Sequence, residues 1–311
     1  MNKNVKHQAV LLEEVINALN IKPTGIYVDA TFGYGGHTRA ILDTLDCEGR
    51  LLAIDRDPDV EHYARCQFKT DPRFIFARNT FNCLKHVSTQ YGFMKHIAGI
   101  LMDVGVSSGQ LDNAERGFSF KQDGPLDMRM DPTSGMSAAD WLASVSERTL
   151  FRVLKEFGEE RFARRIARAI VAAQRIAPIT TTGRLAQIIA DAVPTREPHK
   201  HPATRSFQAL RIKLNSELTQ LQDALEQALD VLAPHGRLVV ISFHSLEDRL
   251  VKRFMREQVQ GGVWPPNLPI PADRCNPTLR IIGRPLRPTA AEIQTNPRAR
   301  SAIMRVAERL P

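Results

Sequence analysis

Gly25-Ile26-Tyr27-Val28-Asp29-Ala30-Thr31-Phe32-Gly33-Tyr34-Gly35-Gly36-His37 reads as a hydrophobic strand running straight into a glycine-dense turn, with a helical pattern following at once. A nucleotide-type cofactor site usually begins this way. Glycine lets the backbone take positive φ and come close to a ligand, leaving the N-terminal amides of the next helix aimed at it. Further along, Arg50-Leu51-Leu52-Ala53-Ile54-Asp55 is a second strand ending in a carboxylate, 19 residues after Gly36. A carboxylate in that place accepts both hydroxyls of a ribose. The loop is GxGG and not GxGxxG, so these two features imply an adenosine-bearing ligand and leave a nicotinamide-dependent oxidoreductase open.

Working outward, residues 10 to 106 alternate helix and strand, the pattern of a parallel sheet covered on both faces. Helices are expected over 10–19, 37–45, 58–68 and 81–90, and strands over 25–31, 50–55, 73–77 and 98–105. Right-handed crossovers make this a doubly wound sheet whose ligands lie at the carboxyl ends of its strands, where the loops near Gly33, Asp55, Asn79 and Asp103 converge. Ser107 to Thr133 has little periodicity and reads as a long functional loop. An Arg-rich helical stretch follows to Val193. Its best-defined helix spans Glu159 to Arg175, with Phe162, Ala163, Ile166, Ala167, Ile170 and Ala173 on one face and Arg161, Arg164, Arg165, Arg168 and Arg175 on the other. The Pro-rich segment 193–202 breaks the helices. A long helix over 206–232, a strand over 236–243, a helix over 246–258, a loop over 263–277 and two last strands near 279–283 and 301–307 complete the chain. The expected architecture is an α/β core of residues 1–118 and 208–311, interrupted between its fourth and fifth strands by a helical, basic insertion of residues 119–207.

The chain has 311 residues, 43% of them hydrophobic, enough for one large domain or two of ordinary size. It holds no run of about 18 apolar residues, and its first residues lack the apolar stretch of a signal peptide, so the expected location is the cytoplasm, with no membrane association. Cys47, Cys66, Cys83 and Cys275 form no CxxC pair, as expected of reduced thiols and not of a zinc site. Formal charge is +8, unevenly placed. Residues 147–213 hold 14 Lys or Arg against 6 Asp or Glu, residues 274–311 hold 8 against 2, and the remainder holds 20 against 26. Two basic segments on a mildly acidic body point to a polyanionic partner, nucleic acid first among them.

The fourth strand decides which reaction follows. Ile100-Leu101-Met102-Asp103-Val104-Gly105-Val106-Ser107-Ser108 places an acid at the end of a buried strand with small residues after it. In methyl transfer to an exocyclic amine the nitrogen lone pair is delocalised into the ring, and an acceptor for its N–H proton helps localise it. Asp103 suits that role, alignment and field supplying the rest. Ser242-Phe243-His244-Ser245, at the end of the fifth strand, borders the same crevice. Phe243 or Trp141 is placed to stack on an extruded base, and Ser242 or His244 to hydrogen-bond its edge. His244 with Glu247 and Asp248, and His199 with His201, lack a convincing metal-ligand spacing, so no metal is expected.

Five blocks carry a closer resemblance: His7-Gln8-Ala9-Val10-Leu11-Leu12; Asp29 to His37; Asp103-Val104-Gly105-Val106-Ser107-Ser108-Gly109-Gln110-Leu111-Asp112; Arg116-Gly117-Phe118-Ser119-Phe120 with Gly124-Pro125-Leu126-Asp127-Met128-Arg129-Met130-Asp131; and Ser242-Phe243-His244-Ser245-Leu246-Glu247-Asp248-Arg249. They span the chain in order, and the sequence resembles the bacterial 16S ribosomal RNA (cytosine-N4)-methyltransferase family, RsmH/MraW. The resemblance implies a class I (Rossmann-like) methyltransferase core with an inserted helical domain, S-adenosyl-L-methionine as methyl donor, and as substrate a decoding-region cytidine of 16S rRNA or the small ribosomal subunit. Its motifs place the cofactor contacts at Gly35, Gly36, His37, Asp55, Phe81, Asp103 and Gln110: the loop backbone on the methionine portion, Asp55 on the ribose, Phe81 on the adenine face, and Gln110 on either the cofactor or its own loop. Gly109 stands where the family usually has proline. A non-enzymatic RNA-binding or ribosome-assembly protein is the alternative, and a homodimer is an open expectation.

Overall fold

The computed structural model describes residues 9–195, 201–262 and 276–311. His7 and Gln8 of the first block, His199 and Cys275 lie outside the described residues. The chain divides into two compact units, residues 1–105 with 218–311, and residues 106–217.

The first unit is built on a seven-stranded sheet: β1 Ile26–Asp29, β2 Arg50–Asp55, β3 Phe74–Arg78, β4 Ile97–Asp103, β5 Leu232–Ser242, β6 Leu279–Ile281 and β7 Ile303–Arg309, in the order β3-β2-β1-β4-β5-β7-β6. β1 to β5 run parallel, and β7 enters antiparallel between β5 and β6. This is the sheet of a class I, Rossmann-like methyltransferase core. Both faces are covered, so the strands read as continuous apolar runs instead of alternating ones. One face packs Val28, Leu52, Ile54, Ile100, Met102 and Val240 against α4 Leu84–Gln90, α11 Glu217–Val231 and α12 Ser245–Val259. The other packs Tyr27, Leu51, Ala53, Leu101, Val239 and Ile241 against α1 Leu12–Leu19, α2 Gly36–Thr44 and α3 Pro58–Gln67.

The second unit gathers α5 Ser108–Asp112, α6 Ala138–Ser144, α7 Glu147–Gly158, α8 Ala163–Ile176, α9 Thr182–Ala192 and α10 Thr204–Asn215 around one core that includes Leu150, Leu154, Ile166, Ile170, Leu185 and Leu210. A short helix, α13 Ala290–Thr295, precedes β7 in the first unit.

Two expectations are corrected, and the unit boundaries differ in position. The compact units divide at 105/106 and 217/218, where 118/119 and 207/208 were expected; Val106, Leu111, Phe118, Leu210 and Leu214, outside the expected insertion, pack into the helical core. The single helix expected over 206–232 is two helices, broken at Ser216 with φ +53°. Asn215, the last residue before the break, is tied by its side chain to an earlier loop: its Oδ1 accepts from Met130 N at 2.8 Å and its Nδ2 donates to the Met128 carbonyl at 2.8 Å, a pair of bonds that sequence periodicity does not report. The helix expected from Glu159 begins at Ala163, since Glu159 takes φ +47° as the left-handed cap of α7. Arg161 therefore precedes the helix, with its guanidinium 5.4 Å from the Phe162 ring centre.

Candidate functional site

Three carboxylates end three adjacent strands. Asp29 closes β1, Asp55 closes β2 and Asp103 closes β4, and strand alternation puts all three on the face shared by Tyr27, Ala53 and Leu101. The register pairs Asp29 with Ala53 on one side and Leu101 on the other, so Asp55 and Asp103 stand two residues farther out, flanking it. A crevice edged by acids at the carboxyl end of a parallel sheet follows from topology alone.

The glycine turn is shaped from within. Gly35 has φ +71°, and a Cβ there would lie 2.9 Å from the rings of Phe32 and Phe68, which pack edge to face. A Cβ on Gly36 would lie 2.9 Å from that of Ala9. These two glycines, expected as ligand contacts, are thus already required by packing. Gly33, at φ +55°, has nothing closer than 4.0 Å on its Cβ side, and its N–H donates to Asp55 Oδ2 at 2.9 Å. The open side of the turn is Gly33.

Asp55 is held at both oxygens, Asp57 N donating to Oδ1 at 3.0 Å. Desolvation outweighs these two bonds and pushes its carboxyl up to about 6. Burial likewise raises Asp29, against the opposing charge interaction with His37 and a 2.7 Å hydrogen bond from Thr38 Oγ1. Thr31 Oγ1 accepts from Asp103 N at 2.6 Å, stitching the turn to the end of β4. Asp29, Thr31 and Thr38 are participants that sequence reasoning missed, although Asp29, an acid ending an apolar strand, carried the same signal as Asp55.

His37, the second residue of α2, is buried with Nε2 3.5 Å from Asp103 Oδ2, too far for a hydrogen bond. Neither of its ring nitrogens has a hydrogen-bonding partner, and Asp103 Oδ1 has none either. Nine buried side-chain polar atoms are so placed among the described residues, and these three sit together. Buried polar groups are ordinarily satisfied, so the cluster fits a polar ligand group able to donate to Asp103 and engage His37.

The remaining expected residues divide. Phe81 is half-buried against the sheet core three residues beyond Arg78, the partner of Asp55 in register, which places it beside the crevice end of β3. Phe243 lies within van der Waals range of Gly105, 3.7 Å from its Cβ position, two residues beyond Asp103. Ser242 is buried and, by alternation from Ile241, the partner of Asp103, leaves the strand on the opposite face from that acid. His244 caps α12: Glu247 N donates to its Nδ1 at 3.4 Å, and Glu247 Oε2 accepts from Phe243 N at 2.8 Å and His244 N at 3.2 Å. Its Nε2 is 3.0 Å from Glu247 Oε1 but off the hydrogen-bonding line. Among the described residues no bond joins Ser242 or His244 to the Asp103 carboxylate; His244 Nδ1 and Glu247 form a capping box at the strand end, and His244 Nε2 is another of the buried atoms without a hydrogen-bonding partner. In the second unit, Gln110 is buried and closes the capping box of α5, its Oε1 accepting from Ser107 N at 3.0 Å and its own N donating to Ser107 Oγ at 3.2 Å. Of the two roles open to Gln110, this bond fills the loop-fixing one. Gly109 lies inside that short helix. Trp141 packs against the helical core.

Ribosomal RNA small subunit methyltransferase H of Thioalkalivibrio sulfidiphilus (strain HL-EbGR7) is 57% identical over 305 residues, covering 98% of this chain and 97% of that one. Among solved structures, an rRNA methylase from Streptococcus thermophilus is 12% identical with a TM-score of 0.41, covering 96% of this chain and 93% of that one. Aeropyrum pernix fibrillarin, with natively bound S-adenosyl-L-methionine, is 9% identical with a TM-score of 0.38, covering 94% and 71%. The MraW methylase family model matches residues 4–310, and the chain belongs to that family.

Proposed function

We propose that the protein transfers a methyl group from S-adenosyl-L-methionine to the exocyclic N4 of a cytidine in the decoding region of small-subunit ribosomal RNA. The observation that carries this reading is the cluster of unpartnered buried polar atoms, Asp103 Oδ1 with the two His37 nitrogens, at the carboxyl end of β4 beside the glycine turn. When bound, the cofactor supplies a methyl already activated on a sulfonium. The chain's own residues then have three tasks. Asp55 accepts the ribose hydroxyls, with Gly33 N–H fixing its orientation and Phe81 lying toward the base. His37 and the turn backbone receive the polar methionine end. Asp103 would accept the N–H of the target amine, helping to localise the lone pair on nitrogen, and would take its proton as the N–CH3 bond forms and the methyl–sulfur bond breaks, the electron pair of that bond staying on sulfur to leave a neutral thioether. Phe243 is positioned to stack on the cytosine, Ser242 and His244 support the strand end that carries it, and Gln110 holds the loop after Asp103.

Nucleoside mass spectrometry of rRNA from cells with and without the gene tests the reading directly. Loss of N4-methylcytidine is expected in the deletion; unchanged N4-methylcytidine overturns it.

The raised Asp55 makes two opposite pH trends. An acid whose folded pKa is raised contributes stability that is present below its unfolded value, 3.8, and lost as pH rises through about 6. Asp29 acts in the same direction. The free protein therefore becomes more stable as pH falls from 7 toward 5, while cofactor affinity weakens over the same interval because the protonated Asp55 is a poorer acceptor. Melting scans and calorimetric titrations at matched pH check the pair of trends; parallel trends contradict the role of Asp55.

The second unit carries an exposed group of arginines that would meet the RNA backbone. Arg161, Arg164, Arg165 and Arg168 are all exposed, with Arg164 5.5 Å from the Phe151 ring centre and Arg168 3.9 Å from Glu147. Reversing all four to Glu is expected to weaken RNA binding and to reduce the slope of log K against log salt by about 3, at roughly 0.7 for each single-strand phosphate that is no longer neutralised. A filter-binding series across salt concentration measures this, and an unchanged slope returns the face to plain solvated surface.

A further inference from the structure

The carboxyl-terminal part of the core carries charge that the methyl-transfer chemistry does not use. From residue 280 to 311 there are seven arginines and two acids, Glu292 and Glu308. Both acids are engaged: Glu292 Oε1 accepts from Leu11 N at 2.8 Å, and buried Glu308 holds Arg280 at 2.6 Å and Arg237 at 3.0 Å. Arg305 is paired with Asp248 at 2.7 Å, and Arg309 donates to the Thr278 carbonyl at 3.0 Å. Arg284, Arg287 and Arg300 are different. They are exposed, and among the described residues no carboxylate meets them.

These three project from held backbone. Leu286, between the first two, exchanges hydrogen bonds with Met304, N to O at 3.0 Å and back at 2.9 Å, and Pro285 and Pro288 restrict the chain on either side. Ala299 and Ala302, next to and near Arg300, are fully buried. Little backbone order remains to be lost when the guanidiniums engage a ligand.

Topology puts them at the working end of the sheet. Because β7 runs against β5, its first residues lie at the carboxyl end of the parallel strands. The register steps from Asp103 to Ile241 to Met304 to Leu286, three strand spacings, or about 14 Å at about 4.8 Å each. That separation suits the phosphates of nucleotides flanking a target base at Asp103, not those of the target itself. Arginine presents a fork that matches phosphate oxygens.

Building on the methyltransferase reading above, we propose that Arg284, Arg287 and Arg300 form a phosphate-binding rim on the core itself, which grips the substrate RNA backbone beside the target cytidine independently of the Arg-rich helix of the inserted unit. The rim lowers KM and leaves the chemical step alone.

The test compares the wild-type protein, the triple variant Arg284→Gln/Arg287→Gln/Arg300→Gln and its Lys counterpart, with purified small-subunit rRNA as probe. For the Gln variant the slope of log K against log salt is expected to fall by about 2, and KM for RNA to rise roughly tenfold, with kcat and the dissociation constant for S-adenosylmethionine unchanged. The Lys variant is expected to recover most of the slope. An unaltered slope and KM in the Gln variant, with an active wild type, overturn the rim and leave the methyltransferase reading intact. A wild-type protein that neither binds the rRNA nor yields N4-methylcytidine on rRNA or small subunits overturns that reading, and the rim with it.

Discussion

Asp103→Ala is expected to lower the rate of methyl transfer by about 10³-fold, the scale lost when a positioned proton acceptor is removed. The fold is expected to survive unharmed, for reasons visible in the bonding. The main-chain N–H of Asp103, not its side chain, makes the 2.6 Å bond to Thr31 Oγ1 that ties the turn to β4. The side chain instead carries a buried oxygen with no partner and a charge that raises the pKa of Asp29. Deleting it removes an unsatisfied acceptor and a like-charge repulsion, so the melting temperature should hold or rise while turnover collapses. Single-turnover assays with a thermal melt of the same preparation separate the two effects. Near-normal turnover rules out the proposed proton acceptor; a large loss of stability assigns Asp103 a structural role instead.

Gly35→Ala is expected to act in the opposite sense, through the fold first. At φ +71° an L side chain costs about 1–2 kcal/mol. The new Cβ would also stand 2.9 Å from the rings of Phe32 and Phe68. Those rings belong to a packed group in which Phe32 also meets Phe74 and Phe76, with ring centres 5.7 and 5.5 Å away, so neither yields easily. Together the two terms amount to about 3 kcal/mol, typical of overpacking at a constrained position. In a chain of this size that corresponds to a fall of roughly 5 °C in melting temperature. Gly33→Ala is the control. Its φ of +55° carries the backbone penalty, but its Cβ would enter open space, so stability should fall by only about 1 kcal/mol. Equal melting temperatures for the two variants would refute the assignment of Gly35 to packing.

The two substitutions show why the glycine turn was only partly legible in sequence. A run of glycines signals positive φ, and Gly33 and Gly35 both have it. Which glycine serves the ligand and which serves the core depends on where Phe68, thirty-three residues away, places its ring. Asp55 and Asp103 were legible because each ends an apolar strand, and strand ends in a parallel sheet converge whatever the details of packing. Ser242 and His244 are legible as neighbours of the crevice, but that position says nothing about the strand face or about competing local bonds. One residue of register turns Ser242 away, and Glu247, three residues on, claims His244 for a helix cap. The long-helix expectation failed at Ser216, whose left-handed turn follows Asn215, a residue bonded to Met128 and Met130 far back in the chain, contacts that periodicity does not report.

By itself, the sequence determined the alternation that builds a parallel sheet, the acids at its strand ends, the basic segments and the family motifs, all of which depend on local periodicity and side-chain chemistry. Only the tertiary structure decided how those parts are used: that Asp29 joins the site, that His37 and Asp103 keep unpartnered polar atoms side by side, and that three arginines from the last fifth of the chain stand at the same end of the sheet as Asp103. The physical reason is that a bond's worth at a site depends on what else competes for its atoms and how far water is excluded. Both are set by residues distant in sequence and adjacent only after the sheet has closed.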